Sequence, residues 1–237
     1  MAASPSGSDR SLVISYLTLR KAVGLLGMLL PLFLFAGSFF RGGCAFPPSI
    51  SHFYYTPMGD VLVGVLCAIS LFLFSYNGYD RRDKRAARLA ALSAMLVALF
   101  PTDPGAGMAN GCSRMLGDTD PLSNTLHYAS ATVLFCILAY FSLFLFTRTD
   151  RSGPVAGAKR IRNRIYRGCG RTILCCIMGI AIANLLPEAF YRYLRPLRPT
   201  FTLETLALLA FGFSWLIKGE AFYRDRPARS GIFTSRQ

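Results

Sequence analysis

His52 and His127 are the two imidazoles of the chain, and the groups that could work with them sit at similar places between apolar runs. Asp60, Asp103, Glu188 and Glu204 supply carboxylates, Tyr55 and Ser130 supply hydroxyls, and Asn184 supplies an amide. An imidazole beside a carboxylate or hydroxyl can move protons as a general acid or base. The same groups can instead hold a polar head group by hydrogen bonds, and their spacing does not choose between the two. At helical spacing Asp60, Cys67 and Ser70 share one face, and His127 and Ser130 share another. Two histidines with no His-x-x-x-His pair are too few for a membrane zinc hydrolase built on three imidazole ligands. Cys175-Cys176 is an adjacent pair without zinc-ligand spacing. No metal and no cofactor is expected. The chain also lacks a phosphate-cradling glycine loop, a nucleophile elbow and a helix-borne lysine suited to a Schiff base.

The elements that must position these residues are apolar. Six uncharged runs fill the sequence: Ala22–Phe40, Val61–Tyr79, Leu89–Thr102, Pro121–Thr147, Thr172–Pro187 and Thr205–Ile217. A helix needs about 20 mostly apolar residues to cross a bilayer. The first, second and fourth runs meet that length, and the others reach it when flanking residues snorkel. The expected fold is all-α, a polytopic membrane bundle of six transmembrane helices at 22–40, 59–79, 86–102, 122–147, 170–191 and 201–218. Residues 1–21 and 219–237 are expected as cytoplasmic tails around one membrane domain, 22–218. The first run is longer than a signal-peptide core and lacks a small-x-small cleavage site after it, so it reads as an uncleaved helix. Within the third run's helix Ala87, Ala91, Ala94 and Ala98 form a small-residue stripe, which lets a neighbouring backbone approach closely in lipid.

Charge sets the orientation. With six crossings, 21 of the 26 Lys and Arg residues fall on the side that carries both termini, against Arg41, Arg114, Arg192, Arg195 and Arg198 on the other. Acidic residues divide evenly. Basic residues near helix ends stay cytoplasmic, so both termini are expected there and the chemistry-bearing residues are expected at the outer end. The formal net charge of +14 is therefore a topology signal, and no nucleic-acid partner is expected. The run Lys159, Arg160, Arg162, Arg164 and Arg167 lies where an anionic membrane surface contributes about 1 kcal/mol per basic residue. Membrane lipids, including anionic ones at this face, are the expected partners. Of the seven cysteines, Cys44 and Cys112 fall in outward links, and an oxidising compartment would let them pair.

Phe100-Pro101-Thr102-Asp103 at the end of one helix, followed by Leu126-His127-Tyr128-Ala129-Ser130-Ala131 opening the next, resembles uncharacterised bacterial membrane proteins of domain-of-unknown-function families. The pattern is also similar to the DRAM-like six-helix superfamily. Ser51–Met58 and Phe211–Glu220 resemble short bacterial membrane proteins of this size. The resemblance implies a six-helix bundle in a bacterial cytoplasmic membrane, and carries over His127 and Asp103 as pattern residues without a role. The leading expectation is an integral membrane protein whose outward polar pocket binds a lipid head group or small polar ligand. The alternatives are an enzyme embedded in the membrane acting on a lipid or isoprenoid, and a small transporter or channel.

Overall fold

The computed structural model describes residues 7–41, 46–78, 80–104, 120–148 and 157–220, and among them every regular element is helical. Six long helices are α1 (Gly7–Arg41), α2 (Gly59–Phe74), α3 (Arg81–Leu99), α4 (Pro121–Tyr140), α5 (Gly157–Leu185) and, after the short α6 (Glu188–Leu194), α7 (Pro199–Lys218). The segments Tyr16–Phe40, Pro121–Leu145, Lys159–Leu185 and Pro199–Lys218 are long and apolar enough to cross a membrane. Helix α2 is apolar but spans 16 residues, and α3 opens on the charged run Arg81-Arg82-Asp83-Lys84-Arg85.

The helix limits depart from the sequence expectation where local chemistry acts. Helix α2 stops at Phe74 rather than near 79, before Asn77-Gly78; the Ser75 hydroxyl donates back to the Leu71 carbonyl at 2.9 Å. Helix α3 begins at Arg81 rather than 86, because the Asp80 carboxylate accepts the amides of Arg82 and Asp83 at 2.8 and 2.9 Å. Those bonds, chiefly the Asp83 amide, hold the Asp80 carboxyl below its usual range. Helix α5 starts at Gly157, since its basic first turns are good helix formers, and stops at Leu185, before Pro187. Pro199 opens α7, at a position where a missing N–H costs nothing.

Consecutive long helices pack side by side, α1 on α2, α2 on α3, α3 on α4, α4 on α5 and α5 on α7, and α7 closes the ring against α1. All four alanines of the α3 stripe are buried, and the Ser70 hydroxyl donates to the Ala91 carbonyl at 2.7 Å, tying α2 to that stripe. At the α1–α7 crossing Gly24 faces Gly212: a Cβ on Gly212 would stand 2.5 Å from the Gly24 carbonyl oxygen. Leu32, Phe33, Phe35, Leu71, Leu92, Phe144 and Ile182 point outward. An apolar exterior of this kind suits lipid, not water.

The two ends of the ring differ. At one, Arg148 pairs with Asp80 and Asp83 at 2.7 and 3.4 Å, and Arg20 lies 4.2 Å over the Tyr16 ring and donates to the Tyr76 hydroxyl. Trp215 fills the core behind them, its ring centroid 5.3 Å from those of Tyr76 and Phe146. The other end carries the 3-10 turn Ser51–Tyr55 between α1 and α2, the end of α3 and the starts of α4 and α7.

Candidate functional site

At this second end, the first turns of α7 hold the segment that precedes the 3-10 turn. Arg198, Phe201 and Glu204 share one helix face and meet that segment in order. The Arg198 guanidinium donates to the Phe46 carbonyl and, at 3.1 Å, to that of Pro47. The Phe201 amide donates to the Pro48 carbonyl at 3.1 Å, and the Ile50 amide donates to the Glu204 carboxylate at 2.5 Å. Arg198 itself has φ of 46°, a left-handed conformation that is costly for a side-chain-bearing residue. Its bonds and its seat 4.8 Å over the Phe46 ring hold it there.

Within the turn the hydroxyls divide their tasks. The Ser49 hydroxyl accepts the His52 amide at 3.3 Å and meets His52 Nδ1 at 2.5 Å. The Thr56 hydroxyl donates to the Phe53 carbonyl at 2.8 Å and accepts the Met58 amide at 3.1 Å. Ser51 instead reaches across to α4, where its Oγ lies 2.9 Å from His127 Nε2. His127 is buried, and its Nδ1 is 2.8 Å from the Phe100 carbonyl. A carbonyl only accepts, so this bond assigns the proton to Nδ1. Nε2 then carries the lone pair, and the Ser51 hydroxyl donates to it.

A cavity of about 60 Å³ opens beside this pair. Ser51, His127, Glu204 and Tyr54 contribute to its wall, and the rest is apolar, with Leu30, Leu66, Val97, Leu134 and Leu208 among the lining residues. The segment after α3 supports it from outside: Tyr55 donates to the Thr102 carbonyl, and the Thr102 hydroxyl donates to the Asn124 amide oxygen and meets the Tyr128 hydroxyl, at 3.1 Å each.

Of the residues singled out in the sequence, His127 and Glu204 line the cavity, and Ser130 is buried one turn along α4. Tyr55 is fully buried as a strut, and His52 is half-buried in the turn. Asp60 and Asp103 are exposed, with the Asp103 amide donating to Asn124 at 3.0 Å. Asn184 and Glu188 are exposed on α5 and α6; Asn184 donates to its own helix at the Ile180 carbonyl. Neither lines the cavity: Asn184 sits on the last turn of α5, and Glu188 opens α6, none of whose residues is buried. Along α5 Arg160, Arg164 and Arg167 are exposed, whereas Arg162 is buried and Lys159 donates to the Arg148 carbonyl at 2.8 Å. Cys44 and Cys112 lie outside the described residues. Among the described residues no cluster of His, Cys, Asp or Glu could hold a metal ion.

Sequence reasoning did not pair Ser51 with His127, and it counted Arg198 only as an outer arginine. Ser51 and His127 are 76 positions apart, and Arg198 acts through backbone carbonyls, so no local pattern links them.

His52 carries a pH dependence. Burial pushes its imidazolium down from the usual 6.5 to about 4; the charge of His127 acts the same way and that of Asp103 opposes it. The unfolded chain takes this proton below about 6.5, while the folded one refuses it until about 4. Acidification through that window therefore removes stability. The melting temperature in detergent is expected to fall between about pH 6.5 and about pH 4, and to fall less in His52→Gln. Equal falls in both proteins would assign the acid sensitivity elsewhere.

A ring of apolar helices with an outward-facing apolar surface and a basic end defines a multi-pass membrane protein. The family model described as "Protein of unknown function (DUF998)" matches residues 51–187, more than half of the 237 residues, and the chain belongs to that family. The matched segment runs from Ser51 through α5 and contains both Ser51 and His127. Comparisons with curated proteins and with solved structures return no match.

Proposed function

We propose that this protein crosses a bacterial cytoplasmic membrane six times, with both termini on the cytoplasmic side, and binds the polar end of a lipid or similar amphipathic ligand at the outer end of the ring. The observation that carries this reading is the cavity, where apolar walls from five long helices meet Ser51, His127 and Glu204 at one end. Apolar walls favour hydrocarbon by about 25 cal/mol per Å² removed from water. The few polar groups then orient a head group or ester, as small-molecule sites commonly do.

The packing of the ring supports six crossings. Helices α2 and α3 pack against each other and against α1 and α4, so in this reading they cross with the rest, with the charged start of α3 snorkelling to the basic interface. On that face Arg160, Arg164 and Arg167 form one exposed stripe of α5, suited to anionic head groups.

Native mass spectrometry of protein purified in gentle detergent tests the ligand. The wild type is expected to retain a lipid or other amphiphile that a His127→Gln, Glu204→Gln double variant, still folded by its melting temperature, loses. The same non-specific lipids on both proteins would remove this reading and leave the polar residues as internal braces.

A further inference from the structure

We propose that Ser51 and His127 form a nucleophile–base pair that transfers the acyl group of a carboxylic ester carried by the ligand. The proposal rests on the cavity binding that ligand, and it names the reactive part.

The geometry has the parts such chemistry needs. A serine hydroxyl is a weak nucleophile until a neighbouring base takes its proton, and that base must be held in the right tautomer by a third group. Here the base is His127 Nε2, 2.9 Å from Ser51 Oγ, and the third group is the Phe100 carbonyl, 2.8 Å from Nδ1. The bond to Phe100 leaves the Nε2 lone pair aimed at the Ser51 hydroxyl. Ser49 and Thr56 already supply the hydroxyl bonds that shape the turn. Both Ser51 and His127 line the cavity, so an ester placed there meets the hydroxyl.

Positioning comes from α7. The Ile50 amide, one residue before Ser51, is fixed on the Glu204 carboxylate at 2.5 Å, and Arg198 and Phe201 hold the chain before it. Glu204 is thus a positioning residue. The volume sets the substrate class: about 60 Å³ admits an ester group and the first carbons of its chain, not a whole diacyl lipid.

The step balances without a further reagent. Ser51 Oγ bonds to the ester carbonyl carbon while its proton passes to His127 Nε2. The carbon–oxygen bond to the leaving alcohol then breaks, and His127 returns the proton to that alcohol. Water, or the hydroxyl of a second lipid, repeats the sequence on the acyl-Ser51 ester, which frees Ser51 and yields a carboxylic acid or a new ester.

A short-chain alkyl fluorophosphonate incubated with the full-length protein in gentle detergent tests this, read by intact mass and peptide mapping, alongside lipid retention in the same sample. One phosphonyl adduct on Ser51 is expected, absent in Ser51→Ala. Labelling is expected to slow by about 10²-fold in His127→Gln, the scale of a lost general base. Because the adduct is mapped on the wild type, the assignment does not depend on the variants folding. Lipid retention with no adduct, or an adduct on another residue, overturns acyl transfer and leaves ligand binding standing. Neither lipid nor adduct overturns both.

Discussion

Gly212→Val is expected to prevent the ring from closing. Where α1 crosses α7, a Cβ at position 212 would stand 2.5 Å from the Gly24 carbonyl oxygen and 2.9 Å from the Met28 amide nitrogen. The obstructing atoms are backbone and the Met28 Cβ, which the backbone fixes, so no rotamer change relieves the contact and one helix must move bodily. Close packing of this kind is how small residues bring helices together in lipid. Displacing α7 would also move Arg198, Phe201 and Glu204 off the segment before Ser51. The measurement is the monodisperse fraction and melting temperature in detergent. The variant is expected to aggregate or to melt far below the wild type, with lipid retention lost as well. Gly64→Val on α2 is the control, since no atom lies within 4 Å of a Cβ there. Equal behaviour of the two variants would rule out Gly212 as the crossing point.

Trp215→Ala is expected to cost about 3–5 kcal/mol, the range for deleting a large aromatic from a packed core. Its side chain is fully buried, with ring centroids 5.3 Å from Tyr76, 5.5 Å from Phe141, 5.3 Å from Phe146 and 5.8 Å from Phe211. Alanine would leave a cavity bounded by Tyr76 in the segment after α2, by Phe141 and Phe146 at the π-turn Phe141–Leu145, and by Phe211 of α7. Trp215→Phe separates packing from hydrogen bonding. The indole N–H is buried without a hydrogen-bond partner, so phenylalanine removes an unsatisfied donor while keeping most of the ring. Its cost is expected to stay below that of alanine by a wide margin. Thermal melts of both variants check this, and similar losses would show that the indole nitrogen matters after all.

Much of the fold was legible in the residues because membrane helices follow a one-dimensional rule. Uncharged length marks a crossing, and charge marks its ends. Hence the all-α class, the membrane location and the packing role of Ala87, Ala91, Ala94 and Ala98 could be read directly, and all four alanines are buried. Limits were less legible. The Asp80 cap lengthens α3 into a charged region that a hydropathy reading discards, and Pro187 ends α5 short of 191. By length and composition four segments, rather than six, qualify as crossings.

The candidate site divides along the same line. His127 and Glu204 stood out by type, since ionisable groups at membrane depth are rare. Glu188 and Asn184 stood out for the same reason, yet both are exposed, Asn184 on the last turn of α5 and Glu188 at the start of α6. What the chain determined by itself was which residues could do chemistry and at which end of the bundle they gather, because helix ends are written in local composition. Tertiary structure alone decided which of them meet. Ser51 finds His127 across 76 residues, and α7 clamps the segment before Ser51, through the closing of a ring whose contacts are set by packing in three dimensions. No periodicity along the chain encodes that closure, since it depends on two glycines, Gly24 and Gly212, lying opposite one another at a crossing.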